Sequence, residues 1–219
     1  MTRAAAGVPC GAGAGTGSAA DFIPARASLA KLREAATRCR GCDLWTCGRV
    51  VFGEGPRAAT VMFVGEQPGD QEELLGHPFV GPAGKLLDEA LEAAGIDRRE
   101  VYVTNAVKHF KHERGAKGKR RIHKKPNDTE VRACTPWLRE EIRVTRPRVI
   151  VLLGATAAQS LLGKQFRVTK ARGKPVPSEL AEVVMATVHP SSVLRAPDEE
   201  RAEARRAFFA DIRAVANAI

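Results

Sequence analysis

Thr60–Gly65 reads TVMFVG, a short run that is continuously apolar and closed by glycine. Apolar residues at consecutive positions suit a strand buried on both faces, as in a parallel sheet covered by helices. Three more stretches read as strands: Val101–Val107 (VYVTNAV), Val149–Gly154 (VIVLLG) and Glu182–Val188. Helical spacings lie between and after them. Leu86, Leu87, Ala90, Leu91 and Ala94 fall on one face of Gly84–Ala94, which Gly95 ends. Asp128–Thr145 has Val131, Trp137, Leu138 and Ile142 inward, Ala155–Leu162 is a short helix, and Glu199–Ala216 closes the chain. This alternation predicts a three-layer α/β/α fold around a central, mainly parallel four-stranded sheet.

The 219 residues, 44% of them apolar, suit a single domain over residues 21–219. Residues 1–20 are rich in Ala, Gly, Thr and Ser without an apolar period, and read as a disordered tail. Ser28 is placed to cap a helix carrying Leu29, Leu32, Ala35 and Ala36. No stretch reaches the ~20 apolar residues of a membrane helix, and the N-terminus lacks the apolar core of a secretory signal. Five cysteines are too few and too odd for a secreted disulfide framework, which points to a reducing cytoplasm.

Charge is local. The chain carries 35 basic and 25 acidic residues, and the 18 residues Lys108–Lys125 hold six Lys, three Arg and one Glu. The remainder is nearly neutral, so this inserted basic loop is a feature and not a background. Its plain reading is a solvated charge run with nonspecific affinity for polyanions. Within it lies KRRIH, Lys119–His123, an imidazole flanked by cations that disfavour its protonated form. A neutral imidazole is a competent nucleophile or base.

In parallel sheets, ligands sit beyond the C-terminal ends of the strands. Those ends carry Gly65-Glu66-Gln67-Pro68-Gly69-Asp70, then Asn105, Lys108 and His109, then His189-Pro190-Ser191-Ser192. Carboxylates, amides and imidazoles at three strand ends predict a site. Gly81-Pro82-Ala83-Gly84-Lys85 fails as a phosphate loop because the spacing and the following Ser/Thr are wrong. Cys39-x2-Cys42 has metal-ligand spacing, and Cys134 lies far along the chain. A fourth ligand is then Cys47, His109 or His112, and the group zinc or an iron–sulfur cluster.

CRGCDL, VFGEG, GEQPGD, HPFVGPAGKLLD, YVTNAVKHF, KRRIH and HPSSVLR occur in this order between residues 28 and 216. In these motifs the chain resembles the uracil-DNA glycosylase superfamily, and specifically the UdgX class. That class is related to the iron–sulfur family-four enzymes and becomes covalently attached to DNA; the inserted KRRIH is the element ordinary family-four enzymes lack.

The resemblance implies excision of uracil from DNA, with uracil-containing DNA as partner, single strands accepted, free uracil as product, and a monomeric protein. It implies that Phe79 stacks on the extruded base, that Gln67 and Asn105 read the uracil edge, and that His189 sits at its O2. Glu66 and Asp70 would lie near C1′, and His123 would capture the sugar in place of water, giving a single turnover. Lys119, Arg120, Arg121, Ser191 and Ser192 would meet DNA, with Arg121 holding phosphate or orienting His123. A [4Fe-4S] cluster would be held by Cys39, Cys42, His109 and Cys134. A conventional turning-over glycosylase and a noncatalytic DNA-binding module are the competing readings.

Overall fold

In the computed structural model, which describes residues 9–114 and 121–219, the TVMFVG run forms strand β1 (Val61–Gly65), buried at every position. The other strands are β2 (Val101–Asn105), β3 (His112–Arg114), β4 (Arg121–His123), β5 (Val149–Leu153), β6 (Pro175–Val176) and β7 (Val183–Thr187). Five of them form one sheet in the order β2-β1-β5-β7-β6. β5 runs parallel to β1, with Val61 opposite Val149, and parallel to β7, with Leu152 opposite Ala186. The α/β expectation is borne out, with one correction: the mainly parallel sheet has five strands instead of four. The added strand, β6, is antiparallel to β7. Two residues, one of them a proline, give no periodic signal to read.

The helices are α1 (Leu29–Ala36), α2 (Asp70–Leu75), α3 (Pro82–Ala93), α4 (Asp128–Thr145), α5 (Ala155–Leu162), α6 (Val168–Ala171), α7 (Pro190–Leu194) and α8 (Asp198–Ala216). No helix among the described residues is long and apolar enough to cross a membrane. The chain divides into two compact units. The second comprises Glu54–Glu66, Phe79–Thr104 and Thr145–Ile219. In it, Val61, Phe63, Val149, Val151, Leu153 and Met185 face Leu87 and Leu91 of α3, and Phe208 and Ile212 of α8. Alternate residues Met62, Val64, Ile150 and Leu152 are equally buried, and α5 packs against β1 and β5. Burying one such side chain contributes about 1.5–3 kcal/mol, which is why unbroken apolar runs specify the interior of this sheet.

The first unit comprises the described residues up to Gly53, Gln67–Pro78 and Asn105–Val144. Its core gathers Leu32 and Ala36 of α1, Leu44, Phe52, Val107, and Ala133 and Trp137 of α4. Ser28 caps α1 as expected, its Oγ accepting from Lys31 N–H. Residues 9–20, expected to be a disordered tail, are bound to this unit instead. Thr16 N–H donates to Arg40 O (2.8 Å), Gly17 N–H to Gly41 O (3.1 Å) and Ala19 N–H to Ala133 O (2.8 Å). The small residues that suggest disorder are what permit the contact. A Cβ on Gly13 would stand 2.6 Å from the Trp45 ring, and one on Gly15 would stand 2.6 Å from Cys42 Cα.

Candidate active site

In the second unit, strand ends assemble Glu66, Thr156, Phe79 and His189. Glu66 follows β1, and one carboxylate oxygen accepts the Thr156 hydroxyl at the start of α5. His189 follows β7 and caps α7. Its Nδ1 lies 3.2 Å from Ser191 N–H and accepts from it, with Ser191 Oγ at 2.8 Å. A ring nitrogen that accepts a backbone N–H is unprotonated, so the neutral ring carries its proton on Nε2 as a donor. Phe79 lies near-parallel to His189, centroids 6.3 Å apart at 28°.

Phe79 adopts φ 58°, a left-handed conformation that bulky residues avoid. Gly84 permits it: a Cβ there would stand 1.8 Å from the Phe79 carbonyl oxygen. With Pro82 in the first turn of α3, GPAGK is a steric seat for Phe79.

In the first unit, Asn105 is buried at the end of β2. Lys108, read as part of a solvated basic run, is only 1% exposed. Its Nζ donates to Asn105 O (2.8 Å) and to Glu141 (2.5 Å), whose other oxygen accepts from Gly53 N–H (3.0 Å). Buried charge survives here because the two groups pair directly and each has a further hydrogen bond.

The basic segment, expected to be a loop, forms an antiparallel pair in which His112 opposes His123. Gln67 fastens its base. Nε2 donates to Lys124 O (3.0 Å) and Lys111 O (3.3 Å), and Oε1 accepts from Lys111 N–H (3.1 Å). Arg121 fastens the outgoing strand to α2: Nε donates to Asp70 Oδ1 (2.5 Å) and a terminal nitrogen to Glu73 Oε2 (2.6 Å). Side chains two apart on a strand share a face, and Arg121 and exposed His123 both lie by the Phe110 ring, at 5.6 and 6.0 Å. Phe110 also stacks on His112 at 5.0 Å.

Several expected site residues are therefore tied into the protein itself. Both N–H groups of Gln67 hold the hairpin. Asp70 and Arg121 are paired, so Asp70 anchors β4. Ser191 serves His189, and Ser192 Oγ donates to His189 O (2.7 Å). Lys119 and Arg120 lie outside the described residues. Of the nine cations, Lys108, Lys111, Arg121 and Lys124 pair with Glu141, Glu130, Asp70 with Glu73, and Glu113. Three of these four cations are answered by carboxylates outside the segment, and Lys124 by Glu113 within it. Thr156, Glu73 and Glu141 carry no signal in the sequence because their partners are distant along the chain.

Cys39, Cys42, His109 and Cys134 line one cavity of the first unit, together with Ala19, Gly41 and Trp137. Trp137 Nε1–H and Gly41 N–H both point at Cys39 Sγ, at 3.3 and 3.4 Å. Burial pushes the Cys42 thiol up to about 11 and the Cys134 thiol further, and holds the His109 imidazole down at about 4. Thiols and an imidazole are soft-metal donors, and burial that disfavours an uncompensated thiolate is relieved when a cation is bound. No three described His, Cys, Asp or Glu stand close enough to hold a single ion. Cys47, a candidate fourth ligand on spacing alone, is instead disulfide-bonded to Cys10.

Residues 52–213 match the family described as the uracil DNA glycosylase superfamily. The chain is 37% identical over 180 residues to the Type-4 uracil-DNA glycosylase of Sulfurisphaera tokodaii, covering 78% of each chain. It is 38% identical over 181 residues to that of Thermotoga maritima, covering 82% of this chain and 88% of the relative. A further Type-4 uracil-DNA glycosylase, from Pyrobaculum aerophilum, is 38% identical over 177 residues, covering 77% and 86%. With three-quarters of its length inside the family match and relatives 38% identical over most of both chains, the chain belongs to the uracil-DNA glycosylase superfamily.

Proposed function

We propose that the protein is a uracil-DNA glycosylase that cleaves the N-glycosidic bond of deoxyuridine in DNA and releases free uracil. The observation that carries this reading is the Phe79–His189 pair, with Nδ1 of His189 committed to Ser191 N–H. A base extruded from DNA needs a stacking face and donors at its polar edge. Phe79 supplies the face. As the bond breaks, its electron pair moves onto uracil N1 and is shared with O2, where the Nε2–H of His189 stabilises the developing charge. Asn105 reads the edge, and the Glu66 carboxylate, held by Thr156, stabilises the positive charge growing at C1′. Water then adds hydroxide to C1′ and its proton goes to uracil. Release of uracil from a labelled oligonucleotide tests the reading; binding without release would leave only a DNA-binding module.

Three cysteines and a histidine lining one cavity are a donor set of the kind that holds an iron–sulfur group. Cys39, Cys42, His109 and Cys134 would hold a [4Fe-4S] cluster. When bound it would supply structural cross-linking, because base excision needs no redox step.

A second, finer reading concerns what captures the sugar. The Type-4 relatives favour ordinary turnover by water. The anchoring of β4 by Gln67, Asp70 and Glu73 favours His123, which would form a C1′–nitrogen bond and leave the protein on the DNA after one turnover. Mixing protein with uracil-containing oligonucleotide and running a denaturing gel separates the two. Product beyond one equivalent without a shifted band supports water; a stoichiometric shifted band lost in His123→Ser supports capture. On either reading the substrate includes single strands, which need no duplex opening, and the protein works as a monomer.

A further inference from the structure

Base excision leaves residues 9–19 without a task, yet they are bonded along their length to the loop carrying Cys39 and Cys42. Gly11 N–H donates to Thr46 Oγ1 (3.0 Å) and Gly15 N–H to Asp43 Oδ1 (2.9 Å), ahead of the bonds from Thr16, Gly17 and Ala19 to Arg40, Gly41 and Ala133. Ala19 at one end lines the metal cavity. Near the other end, Cys10 is bonded to Cys47, so the disulfide uses the two cysteines that the cavity does not. Cys10 Sγ also accepts from His112 N–H (3.4 Å).

We propose that residues 9–19 form a strap over the metal cavity and that Cys10–Cys47 is its thiol-sensitive latch. This rests on the cavity holding the iron–sulfur group proposed above, and is independent of base excision. The strap has no helix or ladder of its own along most of this length, and several of its residues are exposed. Hydrogen bonds in such a segment open locally, and a covalent tie keeps the segment near enough for them to re-form. The chemistry of release is thiol–disulfide exchange. One thiolate of a dithiol attacks a sulfur of the pair, giving a mixed disulfide and one free cysteine. The reagent's second thiolate then closes onto its own sulfur and expels the other cysteine. Two electrons and two protons pass to Cys10 and Cys47, and the dithiol leaves as a disulfide. The strap is then held along residues 11–19 by hydrogen bonds without the covalent tie, and as these open, water, oxidants and chelators reach the cavity.

The test uses the metal-loaded full chain without DNA. Iron transfer to a ferrous chelator is followed with and without a dithiol, cysteines are counted by maleimide labelling and mass mapping, and hydrogen exchange is read over residues 11–19. The expected result is several-fold faster iron release after reduction, with faster exchange in the strap. Cys10→Ser should release iron quickly whether or not dithiol is present, which separates latch opening from direct attack on the metal. Gly15→Val should lift the strap by collision with Cys42 and release iron quickly with the disulfide still intact. Equal release by oxidised and reduced protein overturns the proposal. So does finding both Cys10 and Cys47 as thiols before reduction, or finding no iron in the cavity. Since no uracil is involved, failure here leaves the excision reading standing, and failure of excision leaves the latch standing.

Discussion

Arg121 Nε donates to Asp70 Oδ1 at 2.5 Å, tying the strand that carries His123 to the first turn of α2. Glu73, itself held by Arg49 N–H at 2.9 Å, receives another nitrogen of the same guanidinium. Two carboxylates on one guanidinium fix a plane, which a single lysine contact cannot do.

Arg121→Ala should therefore separate attachment from excision. If His123 captures the sugar, cross-linking to uracil-containing DNA falls by about tenfold or more, the cost expected when a reacting group loses its positioning. Uracil release should change much less, and Arg121→Lys should restore only part of the cross-link. The ratio of shifted band to free uracil measures this. Equal loss of both products in Arg121→Ala would mean that the hairpin serves folding or DNA binding and not the placement of His123.

Gly84→Ala tests the seat of Phe79. A methyl there meets the Phe79 carbonyl at 1.8 Å, so either α3 or residue 79 must shift. Overpacking of this kind costs about 1–3 kcal/mol, and the thermal midpoint should drop accordingly. Uracil release should fall more than the lost stability explains at temperatures where the variant stays folded. Alanine at Gly95, where a Cβ meets nothing within 4 Å despite φ 72°, is the control for backbone strain alone.

The sheet was legible because Val61–Gly65 and Val149–Leu153 bury both faces, and such strands announce themselves without alternation. His189 could be picked out because it follows such a strand, whereas Phe79 is singled out only by the family resemblance. Pairing was not legible. Thr156 reaches Glu66 across 90 positions, and Lys108 reaches Glu141 across 33, so neither partner signals the other locally. The GAGAG segment was misread because composition reports how little a stretch can bury, not how closely its backbone can approach a neighbour. The basic run misled for a related reason, since its count of cations omits the carboxylates that other elements bring to it.

His189→Phe should keep a stacking surface beside Phe79 while removing the Nε2–H donor. If that donor stabilises charge at uracil O2, kcat should fall by about 10²–10³ with KM little changed, as for loss of one oxyanion-type donor. Ser191→Ala should cost far less, because the backbone N–H that sets the tautomer remains. A variant whose KM rises while kcat holds would place His189 in binding and not in bond cleavage. Single-turnover uracil release distinguishes the two.

Lys108 and Glu141 make the sharpest stability test, since their side chains are 1% and 0% exposed. Lys108→Met leaves the Glu141 carboxylate in the core without its ammonium, and also removes that ammonium from the Asn105 carbonyl. Removing one member of a buried pair typically costs about 3–5 kcal/mol, whereas replacing both by apolar groups is far cheaper. Lys108→Met and Glu141→Leu should each lower the urea midpoint strongly, and the double variant should recover much of the loss. A coupling of about 2 kcal/mol or more in that cycle is expected for groups in direct contact. Additive losses would mean the two charges do not depend on each other. The double variant also probes the site, because Asn105 would keep its place at the end of β2 but lose the ammonium on its carbonyl. Uracil release by the folded double variant should fall below wild type even where stability is recovered, and full activity there would reduce Lys108 to a core residue.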